Sequence, residues 1–192
     1  MHNWHDPDYL QTGTPRQRAA HAALQQLGIL ATLQPYGPVL AGTIPLAVDV
    51  AGSDLDLICQ AAEAQQPVLA RLLRRHYGAL PGFELHCTRW QEQPTVVSRF
   101  RAVGFAWEIF AQPLPAPQQQ AVRHLQVEHA VLQAGGEAWR RAVRQLKQQG
   151  LKTEPAFARL LGLPGDPYAA LLALESWSAE TLRAYVAARP LP

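Results

Sequence analysis

Gly42-Thr43-Ile44-Pro45-Leu46-Ala47-Val48-Asp49-Val50-Ala51-Gly52-Ser53-Asp54-Leu55-Asp56-Leu57-Ile58 opens with a small Gly-Thr pair and closes on two aspartates separated by one leucine. The apolar run Val39-Leu40-Ala41 leads into it. Side chains alternate faces along extended backbone. A strand over Asp54–Cys59 therefore projects Asp54 and Asp56 to one side and sends Leu55 and Leu57 into a core. Like charges held side by side repel, which raises the free energy of such a pair. A divalent cation between them removes that penalty, and Mg²⁺ is commonly held by carboxylates together with substrate phosphates.

The chain around this stretch has 192 residues, enough for one domain or for one core with an appendage. Apolar residues make up 48% and charged residues 17%, a balance that builds a core and excludes a disordered chain. The formal charge of +2 gives no sign of a nucleic-acid or membrane surface. Met1-His2-Asn3-Trp4-His5-Asp6 carries no apolar signal region, and no apolar run reaches the length of a membrane span. Cys59 and Cys87 have neither metal nor redox spacing, and the histidines show no zinc-like spacing with them. Each cysteine sits in an apolar strand-like run, where burial is expected. These features predict a reduced, cytoplasmic protein with no membrane partner.

Working outward from the stretch, Thr14-Pro15 predicts a capped helix over about Pro15–Leu27, stopped at Gly28, after a short turn at Asp6–Gln11. Leu30–Leu33 adds a further turn before the breaker Pro35-Tyr36-Gly37-Pro38. Pro45 suits the first turn of a new helix. Gln66–Tyr77 reads as a helix with Leu69, Leu72, Leu73 and His76 inward. Strands follow at Phe83–Trp90, Thr95–Val103 and Phe105–Gln112, the last two joined in a tight hairpin at Val103-Gly104. Beyond Pro113, Pro115 and Pro117 the pattern turns helical: Gln118–Gln133, Glu137–Gln149, Thr153–Leu161 with Thr153 as cap, about Pro167–Leu174, and a last helix capped by Ser178. Glu137 and Arg141 have the spacing of a supporting i, i+4 pair. The layout predicts an α+β protein: a small mixed sheet flanked by helices in residues 1–115, then an all-helical lobe in 116–192 packed on that core.

Gly42-Thr43, ten intervening residues and Gly52-Ser53-Asp54-Leu55-Asp56-Leu57 together resemble the nucleotidyltransferase superfamily motif, a Gly-Ser or Gly-Gly pair followed by Asp-apolar-Asp/Glu. That superfamily places a third carboxylate on a neighbouring strand. Glu108, the one acid in Phe105-Ala106-Trp107-Glu108-Ile109-Phe110, matches it. Two departures stand out: Thr43 replaces the usual serine, and no Arg or Lys follows in Ile44-Pro45-Leu46-Ala47-Val48. Over nearly the whole chain, Gly42-Thr43-Ile44-Pro45, Glu108-Ile109-Phe110-Ala111-Gln112-Pro113, Arg123-His124 and Lys152-Thr153-Glu154-Pro155-Ala156-Phe157 are similar to a bacterial family of unknown function within that superfamily.

The resemblance implies a two-ion Mg²⁺ site on Asp54, Asp56 and Glu108, and transfer of a nucleoside monophosphate from a nucleoside triphosphate to an acceptor it does not identify. Gly42 permits close backbone approach to phosphate, while Thr43, Ser53 and the following N–H groups can donate to it. The missing cation has to come from elsewhere: Arg99, Arg101, Arg123 or Lys152. Asp49 reads as a loop acid near the site. The plainer readings are solvated acids at a strand boundary for Asp54 and Asp56, a water-facing acid for Glu108, a surface Arg123 beside a packed His124, and Lys152-Thr153-Glu154 as an ordinary helix start. Three functions follow: the enzyme, a catalytically inactive binding module of the same fold, and a toxin–antitoxin-like partner protein. Nucleic acid is not indicated as a partner.

Overall fold

Capping chemistry sets the first helix in the computed structural model, which describes residues 3–191. The Thr14 hydroxyl accepts from the Gln17 N–H, and the Gln17 side chain accepts from the Thr14 N–H. α1 then runs Pro15–Leu27 and stops at Gly28, whose φ of 61° is left-handed. A short 3-10 turn at Pro7–Thr12 precedes it, and α2 (Ile29–Leu33) follows. Gln17 also donates through Nε2 to the carbonyls of Ile44 (2.9 Å) and Pro45 (3.1 Å). Those two acceptors are engaged by a side chain instead of by helical N–H groups. The segment from Thr43 to Ala47 is accordingly a series of turns and not the helix expected at Pro45.

The strands are β1 (Val39–Ala41), β2 (Leu55–Gln60), β3 (Glu84–Trp90), β4 (Gln93–Ala102) and β5 (Phe105–Gln112). They form one five-stranded sheet in the order β1-β2-β5-β4-β3. β2 and β5 are parallel, and the other three pairings are antiparallel. Leu55, Leu57, Cys59, Trp107, Ile109 and Ala111 line one face and are buried in a core with α1, α2 and α3 (Gln66–Tyr77). Tyr77, not His76, is the inward residue at the end of α3. Its ring stacks on Phe100 at 4.9 Å between centroids, while His76 faces solvent. Cys87 is exposed, against expectation, because β3 is the outer strand and pairs only with β4. Cys59 is buried as expected, and burial pushes its thiol up to about 12.

Helices fill the C-terminal part: α4 (Gln120–Gln148), α5 (Thr153–Leu161), α6 (Pro167–Leu172) and α7 (Ala179–Ala187). Gly136, at φ 65° and ψ −155°, breaks α4 where the glycine pair predicts a stop. Glu137 meets Arg144 at 2.7 Å and not Arg141. Thr153 is the first helical residue of α5 and not its cap; its hydroxyl accepts from Lys147 at 2.7 Å. By contacts the chain divides into two compact units, one of Met1–Pro45 with Gly52–Val122 and one of Leu46–Ala51 with Arg123–Pro192. No helix among the described residues is long and apolar enough to cross a membrane. The reading of Met1 and His2 as free of a signal region lies outside the described residues.

Candidate functional site

The sheet register assembles the carboxylates. Asp56 lies directly opposite Glu108 in the parallel β2–β5 pairing, so both side chains emerge on the same face. That face is opposite the one buried through Leu55, Leu57, Trp107 and Ile109. Neighbouring strands run about 4.8 Å apart, which puts these two carboxyl stems within reach of one ion. Asp54 stands just before the first residue of β2, two positions from Asp56 and on the same side by the pleat. Asp54 is exposed, and Asp56 and Glu108 are half-buried. The row continues to Ala41 on one flank and to Arg99 and Glu84 on the other.

Arg99 engages Glu108. Its Nε and its Nη2 both lie 2.5 Å from Oε2, a charge-assisted contact across adjacent strands. The guanidinium thus offsets the charge of the carboxylate that lies opposite Asp56.

Gly42 sits at the end of β1 with φ 80°, a conformation that L side chains rarely adopt. A Cβ built there would strike the Asp56 carboxylate. The glycine is therefore required twice, by its backbone and by the aspartate lying against it. The Thr43 hydroxyl donates to Ser53 Oγ at 3.2 Å, tying the two ends of the motif together across the intervening loop. Asp49, from that loop, falls in the Leu46–Ala51 segment grouped with the helical unit.

Arg16 supplies a cation that the sequence did not reveal. It follows Pro15 in the first turn of α1, and its Nη2 donates to the Ser53 carbonyl at 3.4 Å. Its guanidinium lies 3.8 Å from the centroid of the Phe105 ring. Arg16 and Arg101 line a cleft of about 480 Å³ with Gly52, Ser53 and the Val103-Gly104 turn. Nothing in the local pattern of Pro15-Arg16-Gln17 signals this, because the contact joins positions far apart in the chain.

Arg123 and Lys152 belong to the helical unit. Arg123 is committed to Glu175, with Nε at 3.0 and 3.1 Å from its two oxygens and Nη2 at 2.5 Å from Oε2. Lys152 is exposed at the start of α5.

Residues 22–174 match the family model described as a domain of unknown function, DUF4269, and the chain belongs to that family. No curated protein matches it. Among solved structures it is similar to a mutant of the Cid1 poly(U) polymerase bound to MgATP, at 14% identity and a TM-score of 0.52, covering 86% of this chain and 53% of that one. A cytoplasmic RNA terminal U-transferase gives 13% identity and a TM-score of 0.52, with 86% and 49% covered. The GLD-2/RNP-8 complex gives 16% and 0.50, with 80% and 60% covered. These likenesses establish the nucleotidyltransferase fold. The chain spans about half the length of the first two of these structures.

Proposed function

We propose that this member of the DUF4269 family is a Mg²⁺-dependent nucleotidyltransferase, with Asp54, Asp56 and Glu108 as the ligands of a two-ion site. The direct register of Asp56 with Glu108, with Asp54 on the same side, carries the reading. The donor set fits: all three are carboxylates, the ligands Mg²⁺ prefers, and Asp54 is open to solvent and to phosphate oxygens. Bound Mg²⁺ supplies charge stabilisation at the transferring phosphate and at the leaving pyrophosphate.

The chain's own residues do the rest. The acceptor hydroxyl oxygen bonds to the α-phosphorus as the bond to pyrophosphate breaks, and the carboxylate nearest that hydroxyl takes its proton. Thr43 and the N–H groups around Gly42 and Gly52-Ser53 donate to phosphate oxygens. Arg16, beside Ser53, serves as the cation that Ile44–Val48 lacks. Arg99, paired with Glu108, is a second cation beside the carboxylates.

Labelled nucleoside triphosphate is to be bound with and without Mg²⁺, to the wild type and to Asp54→Ala/Asp56→Ala. Mg²⁺-dependent binding is expected in the wild type alone, with transfer of an α-phosphate label to an RNA or small-molecule acceptor. Equal behaviour of the two proteins defeats the reading. The second reading, an inactive binding module, is favoured by the Arg99–Glu108 contact, which occupies one of the three ligands. Mg²⁺-dependent binding without pyrophosphate release across acceptors decides for it.

A further inference from the structure

Within the helical unit, His124, Glu128 and Glu154 each present one ligand atom within 4.8 Å of the other two. His124 and Glu128 lie at i, i+4 on α4, the spacing that sets two side chains on one helical face. Glu154 comes from the first turn of α5. His124 is only 5% exposed and Glu128 only 4%. Neither ring nitrogen of His124 has a hydrogen-bond partner, nor does Oε1 of Glu128. A neutral imidazole carries one donor and one acceptor, and burying both unmet is unfavourable. A second carboxylate beside a buried one adds like-charge repulsion.

The surroundings relieve this only in part, through the charge of Lys147 on Glu128. The ring of Tyr168 meets that of His124 edge-on at 6.0 Å between centroids, an apolar contact. Arg123, Glu175, Asp166 and Glu154 act on His124, and Glu154 and Lys147 act on Glu128. Arg123 is engaged by Glu175, and the Lys147 ammonium donates to Thr153. Carboxylates outnumber the cations around the cluster.

We propose that His124, Glu128 and Glu154 form a site for a divalent transition-metal ion, with Zn²⁺ as the ion that fits. One imidazole nitrogen with two carboxylate oxygens is a mixed donor set suited to Zn²⁺, whereas Mg²⁺ favours oxygen ligands and retained water. Three protein ligands leave a fourth tetrahedral position for water or a ligand group. Burial leaves Oε1 of Glu128 without a partner, an unfavourable state that a bound cation removes. This site is independent of the Mg²⁺ reading, since none of its residues belongs to the sheet unit.

The test is titration of the chelator-treated full chain with Co²⁺ and Zn²⁺, read by Co²⁺ visible absorption, calorimetry and thermal melting. One ion per chain is expected, with a raised melting midpoint. Binding persists in Asp54→Asn/Asp56→Asn and weakens about tenfold or more in Glu154→Gln. Glu154 is half-buried and the change is nearly isosteric, so circular dichroism is expected to show a folded variant. His124→Gln gives a second readout through loss of the Co²⁺ band. Absence of binding by the folded wild type overturns the site. So does unchanged affinity in Glu154→Gln, or loss of all binding in Asp54→Asn/Asp56→Asn.

Discussion

Arg123 and Glu175 show what a single contact implies for the acid stability of the protein. Their side chains are 36% and 32% exposed, and the guanidinium grips both carboxylate oxygens. The hydrogen bond from Arg123, more than simple charge proximity, holds the Glu175 carboxyl below its ordinary value of 4.5. A carboxyl with a lower pKa in the folded chain than in the unfolded chain binds fewer protons when folded. Its stabilisation is present above 4.5 and is lost as pH falls through the folded value. Glu175→Gln is therefore expected to flatten the loss of stability on acidification, in urea unfolding followed by circular dichroism from about pH 5 downward. Parallel curves for the two proteins would show that the pair contributes nothing there. At this scale the sequence reveals residues whose chemistry is local. Asp54 and Asp56 announce themselves by spacing, and Glu108 by being an acid among apolar neighbours. Arg16 and the His124–Glu128–Glu154 cluster stay hidden, because each depends on contacts between segments that local pattern does not connect.

The β4–β5 hairpin turns on Val103 and Gly104, at φ 49° and 75°. Positive φ at both central residues matches the twist of the flanking strands. Gly104 adopts it freely, but a β-branched valine does not, and Val103 is 37% exposed. Asparagine tolerates the left-handed region, which disfavours other L residues by about 1–2 kcal/mol. Val103→Asn is thus expected to raise stability by about 1 kcal/mol, measured by chemical denaturation. Unchanged or lower stability would mean that the valine's contacts outweigh its backbone strain. The neighbouring β3–β4 turn is also left-handed at both positions, Gln91 at φ 49° and Glu92 at φ 62°. Gly104 makes the first turn legible in the sequence. Gln91-Glu92 gives no such sign, since its conformation is imposed by Trp90 pairing with Gln93. Elements with strong local chemistry follow the same rule: α1 with its cap and glycine stop, and the break at Gly136. The helix expected at Pro45 is absent: Ala47 takes a left-handed φ of 57°, and Gln17, distant in sequence, holds the Ile44 and Pro45 carbonyls.

At the scale of the whole molecule, a ligand that binds only the folded chain stabilises it, by about 2.7 kcal/mol at about a hundredfold excess over its dissociation constant. This makes thermal unfolding a reporter for both metal sites we propose. Asp54 is exposed and stands on the same side of β2 as Asp56, a like charge two residues away. Neutralising one member of such a pair relieves repulsion. Asp54→Asn without ligand is therefore expected to melt at the wild-type temperature or slightly above. With Mg²⁺ and nucleoside triphosphate the wild type gains several degrees and Asp54→Asn gains little, because the shift requires binding at β2. Zn²⁺ is expected to raise both proteins equally, since its ligands lie on α4 and α5. A full Mg²⁺–nucleotide shift in Asp54→Asn would remove Asp54 from the nucleotide site. A Zn²⁺ shift lost together with the Mg²⁺ shift would mean that one site, on the sheet, accounts for both.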